Sequence, residues 1–168
     1  MESLKILQVV GYKNSGKTTL IESWIKTLAN EQIDAAVIKH HGHQNGLELP
    51  NDQTDSMKFT TAGAVTSIAV DDHMIQLHQR KKEWSLTKLI TLAKLSDPSI
   101  LFIEGYKIES YPKVVIVKKE EDWTTLQTLT NIVCVVVHPK VNVPNIHTYP
   151  IQNTSQLNNW LNKWMGGE

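Results

Sequence analysis

The chain has 168 residues, with 17 basic and 17 acidic side chains and a formal charge of zero. That balance offers no bulk attraction to nucleic acid or to an anionic membrane, so any anion site must be local. With 40% hydrophobic and 20% charged residues, one ordered domain over 1–168 is expected.

Leu4–Val10 (LKILQVV) reads as a strand. The N-terminal stretch MESLKILQVV carries no basic n-region, long apolar h-region or small-residue cleavage site, and no apolar run approaches the ~20 residues of a membrane span, so the cytoplasm is the expected compartment. Lys17–Asn30 reads as a helix with Leu20, Ile21, Trp24, Ile25 and Leu28 on one face. Ala35–His40 is a second strand, followed by a polar loop and a short helix over Ser56–Ala62. Ala64–Asp72 and His73–Arg80 form two strands of a hairpin around Asp71–Asp72. Ser85 can cap a helix to about Leu95, with Leu86, Leu89, Ile90 and Ala93 inward. Ser99–Gly105 is a continuous apolar strand, the kind covered on both faces. Pro112–Lys118 and Asn131–His138 are further strands, and Thr154–Met165 is a last helix. The single cysteine, Cys134, lies in the run IVCVVV and reads as a small core side chain.

Strand–helix alternation predicts an α/β fold, three layers about a mostly parallel central sheet. The 64–80 hairpin and the 112–118 strand are expected as antiparallel additions, making the sheet mixed.

The stretch GYKNSGKTTL carries the chemistry. Gly11 to Thr18 fits G-x-x-x-x-G-K-[ST] without exception, between an apolar strand and an amphipathic helix. Gly11 and Gly16 permit backbone conformations a side chain would block. The N–H groups through Lys13, Asn14 and Ser15 then form an anion nest at a helix N-terminus. Lys17 reaches the β- and γ-phosphates, the Thr18 hydroxyl ligates Mg²⁺, and Thr19 is a further phosphate contact. Lys13 reads as a solvated loop lysine, or as a group reaching a partner's phosphates across a dimer.

A phosphate loop needs a carboxylate for the metal. Glu104 ends the buried run SILFIE, where an unpaired charge is costly, and magnesium or its water is the natural partner. Gly105 lets the following backbone pass near the γ-phosphate. Asp55, with Asp52 as an alternative, can position water or magnesium, or cap the helix after it. His40, His41 and His43 suggest a metal or a ligand-facing loop, with Lys39 and His41 as candidate contacts. Arg80 could lean on a phosphate. The loop after 131–138, with His138 and Lys140, is where a base could sit.

With GYKNSGKTTL, VIKHHGH, DQTDSMKFTTAGA and LFIEGYKIESYPKVVIV in view, the chain resembles the molybdopterin-guanine dinucleotide biosynthesis protein B family, nearly over its full length. The resemblance implies a P-loop NTPase fold and a GTP-binding protein with weak GTPase activity. It would be a homodimer assisting the guanylyltransferase that joins GMP to molybdopterin, with molybdopterin itself a candidate ligand. Gly16, Lys17, Thr18 and Thr19 would hold the nucleotide. Asp55 and Glu104 would lie near magnesium, and Lys39, His41, Gly105 and Lys107 would line the same region. The N-K-x-D guanine signature is absent, and only Lys58 stands where the family often has several basic residues. A small-molecule kinase or ATP-dependent ligase, and a metallochaperone GTPase, are alternatives on the same scaffold. Trp160 and Trp164 share a helix face, for core packing or a partner contact. The KVVIV strand could be an edge pairing across a two-fold axis.

Overall fold

The computed structural model describes residues 4–42, 46–47 and 54–167. The chain divides into two compact units, one of residues 1–42 with 90–168, the other of residues 43–89.

The larger unit is built on a six-stranded sheet. In chain order its strands are β1 (Lys5–Gly11), β2 (Ala35–Lys39), β5 (Ile100–Glu104), β6 (Lys113–Val117), β7 (Ile132–Val137) and the two-residue β8 (Tyr149–Pro150). The spatial order is β2-β5-β1-β6-β7-β8, and every pairing is parallel. A parallel sheet must be covered on both faces, which explains why β5 and β6 are buried at every position.

Two clusters do the covering. On one face, Leu7, Val9, Phe102, Val114 and Ile116 meet the apolar sides of α1 (Lys17–Asn30) and α5 (Thr154–Gly166). Trp24 stacks on Phe102 and on Trp160, which stacks on Trp164, so the tryptophans of α5 pack against the core. On the other face, Val10, Val115, Val117, Val135 and Val137 pack with Leu126 and Trp123 of α4 (Glu120–Leu126). The result is three layers. Cys134 is buried within the first cluster.

Three expectations are corrected. β6 is parallel to both its neighbours, not an antiparallel addition, and it lies inside the sheet, not at an edge. The hairpin forms a separate sheet in the smaller unit. The helix α4 went unread, although Glu120, Glu121 and Asp122 crowd its first turn, where acids favour the helix dipole. Asp122 also accepts from the Lys119 N–H at 3.0 Å, closing that turn.

In the smaller unit, α2 (Asp55–Thr61) is followed by β3 (Thr66–Val70) and β4 (Ile75–Gln79). Asp71 shapes the hairpin by accepting from the N–H groups of His73 and Met74 at 2.8 and 2.7 Å. The Ser67 hydroxyl donates to the Ser56 carbonyl at 3.0 Å, which ties one sheet face to α2. Ser85 caps α3 (Leu86–Ala93) by accepting from the Lys88 N–H at 3.4 Å. A short 3-10 turn, Lys94–Ser96, continues that helix.

Candidate functional site

The connection from β1 crosses to β2 on one side, and that from β6 crosses to β7 on the other. Parallel sheets place their ligand sites at the carboxyl ends of strands at such a reversal. The phosphate loop, residues 11–18, leaves β1 at this point. Gly11 has no room for a side chain, because a Cβ would lie 2.6 Å from Ser15 Oγ and 2.8 Å from the Ile116 carbonyl. Asn14 (φ 57°) and Gly16 (φ 93°) take left-handed backbone, turning the loop into the N-terminus of α1. Ser15 is buried, and its Oγ has no hydrogen-bond partner among the described residues.

Lys17 is drawn back over the loop and donates to the Tyr12 carbonyl at 2.8 Å. The sequence neighbours Thr18 and Thr19 are exposed beside it. Thr18 Oγ1 donates to Glu104 Oε2 at 2.9 Å. That contact follows from register, since Glu104 pairs with Val9 of β1 and with Lys39 of β2. Lys39 Nζ donates to Thr18 Oγ1 at 3.1 Å and stands 3.5 Å from Glu104 Oε2. Glu104 is only 7% exposed, so its charge is compensated by groups of this site.

Lys107 adds a third cation, its Nζ 4.0 Å from the centre of the Tyr12 ring. Burial lowers the Lys17 pKa from its ordinary value; the Glu104 carboxylate opposes this, and Lys107 and Lys39 add to the lowering. Lys17 and Lys39 beside the buried Glu104, with Lys107 near Lys17, form a site whose field favours an anion.

The backbone after Glu104 is unusual. Gly105 (φ 93°) and Tyr106 (φ 52°) are both left-handed. Gln8, fully buried in β1, holds the pair by donating to the carbonyls of Gly105 at 3.0 Å and Tyr106 at 2.8 Å. Lys113, fully buried at the start of β6, donates to the carbonyls of Tyr111, at 3.0 Å, and Glu109. Burial lowers its pKa, countered in part by Glu109. Sequence reasoning missed both residues. The available signal was a polar side chain inside a strand otherwise apolar on both faces. Tyr12, which contacts Lys17 and Lys107, was missed because only its place in the loop was legible.

Gly11, Ser15, Gly16, Lys17, Thr18, Lys39, Glu104, Gly105 and Lys107 lie on the loop and strand ends described above. Lys13, Asn14 and His41 are exposed on adjoining segments. His40 turns its ring against Tyr106, 4.4 Å between centroids. Asp55 belongs to the other unit, where it is the first residue of α2 and pairs with Lys58 at 3.0 Å. The cap position of that helix falls to Thr54. His43 and Asp52 lie outside the described residues. His138, in the loop where the sequence suggested a base could sit, places its ring Nε2 2.9 Å from the Ser15 carbonyl oxygen. Among the described residues no three His, Cys, Asp or Glu gather as metal ligands. No helix among them is long and apolar enough to cross a membrane.

A family model described as molybdopterin guanine dinucleotide synthesis protein B matches residues 6–138. A probable molybdopterin-guanine dinucleotide biosynthesis adapter protein of Bacillus subtilis is 34% identical over 146 residues, covering 87% of this chain and 83% of its own. An adapter protein of the same description from Haemophilus influenzae is 30% identical over 118 residues, 70% of this chain and 65% of that relative. The crystal structure of a MobB homologue from Bacillus stearothermophilus superposes with a TM-score of 0.79 at 32% identity, over 97% of this chain and 99% of that one. Bacillus subtilis MobB gives 0.77 at 29% identity, over 95% and 97%. The phosphate loop and the Glu104 strand both fall inside the matched span, and the chain belongs to the molybdopterin guanine dinucleotide synthesis protein B (MobB) family.

Proposed function

We propose that this protein binds GTP with Mg²⁺ and acts as an adapter in molybdopterin guanine dinucleotide biosynthesis, at the guanylyltransferase step. The observation that carries the nucleotide reading is the convergence of Lys17, Thr18 and Glu104 at the end of β1 and β5. The loop N–H groups and Lys17 receive the β- and γ-phosphates, with Thr19, Gly105 and Lys107 beside them.

The residues also fit magnesium. Thr18 Oγ1 and Glu104 Oε2 are hard oxygen donors 2.9 Å apart. The Lys39 ammonium already stands against both, a protein cation at the place a metal would take. When bound, the metal would neutralise charge on the phosphates. Asp55 keeps its candidacy on sequence position alone. The adapter role rests on the family and on the names of the relatives. Weak GTPase activity accompanies it, because hydrolysis needs a positioned water and an arginine finger, and the site draws its cations from lysines.

The homodimer belongs to the same proposal. In the hairpin, Ile68 pairs with Leu77 and Val70 with Ile75, which places four apolar side chains on one face. Ile68, Val70 and Ile75 are exposed, from 61% at Ile68 to 73% at Val70, and Leu77 is half-buried. Such a patch suits a subunit contact.

Calorimetric titration with GTP and ATP, each with Mg²⁺, tests the reading. GTP should bind more tightly; equal binding or a preference for ATP would favour a kinase or ligase. Glu104→Gln should weaken Mg²⁺-dependent GTP binding more than metal-free binding. Unchanged metal dependence would move the carboxylate role to Asp55.

A further inference from the structure

We propose that His138 is a positioning residue of the phosphate loop: its Nε2–H holds the Ser15 carbonyl and thereby aims the Gly16 N–H into the phosphate cradle. The inference rests on reading that loop as a phosphate site.

His138 follows the last residue of β7. Its own N–H donates to the Val117 carbonyl at 3.0 Å, and its carbonyl accepts from the Val141 N–H at 3.1 Å. The preceding residues, Val135 to Val137, are buried in the sheet core. The residue is thus fixed on both sides of its peptide. Its ring then reaches across β6 to the loop after β1, with Nε2 at 2.9 Å from the Ser15 oxygen.

A carbonyl oxygen only accepts, so Nε2 must carry the hydrogen. The neutral Nε2–H tautomer and the imidazolium can both make this bond, and the Nδ1–H tautomer cannot. The Ser15–Gly16 peptide is trans, and a trans peptide points its C=O and N–H in opposite directions. Holding the carbonyl toward β7 therefore sends the Gly16 N–H the other way. Ser15 is buried, so a carbonyl turned elsewhere would lose a partner without gaining water. Contacts from the other sides restrict the loop further. A Cβ on Gly16 would lie 2.9 Å from Ile151 Cδ1, and Gly11 is wedged against Ile116. Ile151 itself is placed by its N–H bond to the Val137 carbonyl at 2.9 Å. The carboxyl end of β7 thus supports the cradle twice, through Ile151 beneath Gly16 and through His138 on Ser15.

The test compares the wild type with His138→Ala and His138→Gln. Each is titrated calorimetrically with GTP–Mg²⁺ and with tripolyphosphate, which has no base or ribose. Loss of one aimed donor should weaken both ligands by the same factor, about three- to tenfold. Gln can donate an amide N–H over a similar reach and should recover most of that loss. Weakened GTP binding with unchanged tripolyphosphate binding would assign His138 to the nucleoside and overturn the proposal. Equal losses that Gln does not recover would overturn it as well, leaving only packing. If the wild type bound neither ligand, the nucleotide reading itself would fail. The contact has its own check on the ligand-free wild type. Ring ¹⁵N shifts showing a protonated Nε2 support it, and a bare Nε2 overturns it whatever the variants do.

Discussion

Lys17 sits in an unfavourable field. Burial disfavours its charge, and Lys39 and Lys107 add to that effect against the single opposing carboxylate of Glu104. A polyphosphate would reverse the balance, so the lysine should matter to binding and little to folding. Lys17→Ala is expected to weaken GTP about a hundredfold, the usual loss for one member of a charged pair. Its unfolding free energy from urea denaturation should change by no more than about 0.5 kcal/mol. Retained affinity would overturn this account of the loop. Gly105 carries the opposite expectation. At φ 93° any side chain is strained, and a Cβ would come 3.2 Å from the His40 Cβ. Gly105→Ala should cost about 1–3 kcal/mol of stability, measurable by chemical denaturation. An unchanged stability would mean that the turn after Glu104 relaxes freely, despite the two carbonyls held by Gln8.

At the level of elements, the central strands are stabilised by being covered on both faces, and β7 shows the consequence for a titratable side chain. Burial pushes the Cys134 thiol up to about 12 from an ordinary value of 9.0. The sign follows from proton linkage: above pH 9 the unfolded chain releases this proton while the native chain keeps it. Stability should therefore fall as pH rises from 9 toward 12, by at most about 1.4 kcal/mol per pH unit from this group. Cys134→Ala should flatten that slope, whatever constant offset its smaller side chain adds. Urea denaturation of both proteins across this pH range provides the check. A second element, the crossover after β5, depends on the sheet beneath it. Gln8 and Lys113 are register partners in β1 and β6, and each donates to carbonyls of the 105–111 segment. The segment that carries Lys107 is thus fastened to two buried strands.

On the scale of the whole molecule, the hairpin presents an apolar face on which Ile68, Val70 and Ile75 are exposed among the described residues. Ile68→Lys places a charge on that face at a position 61% exposed, so folding should change by no more than about 0.5 kcal/mol. If this face joins two copies, sedimentation should show the wild type as a dimer and the variant as a monomer. A monomeric wild type would sink the proposal.

The phosphate loop and α1 were legible from residues alone, and the expected helix limits, Lys17 and Asn30, are those observed. That success has a local cause: glycine conformations, a helix start and apolar spacing all act within a few residues of chain. Glu104 was legible for a related reason, because a carboxylate closing a fully apolar strand has few acceptable partners. The sequence was silent on what depends on neighbours distant in the chain. The strand over 113–117 has the same apolar character whether it runs parallel or antiparallel, inside a sheet or at its edge, and only pairing with β1 and β7 decides between them. Gln8, Lys113 and His138 carried no motif. Their roles arise where parallel strands end side by side, and where a ring 123 residues along the chain from Ser15 meets its carbonyl. By itself the sequence determined a phosphate-binding loop and the type of fold around it. The tertiary structure decided which buried polar groups hold that loop in shape, because a hydrogen bond needs distance and direction that residue identity alone does not supply.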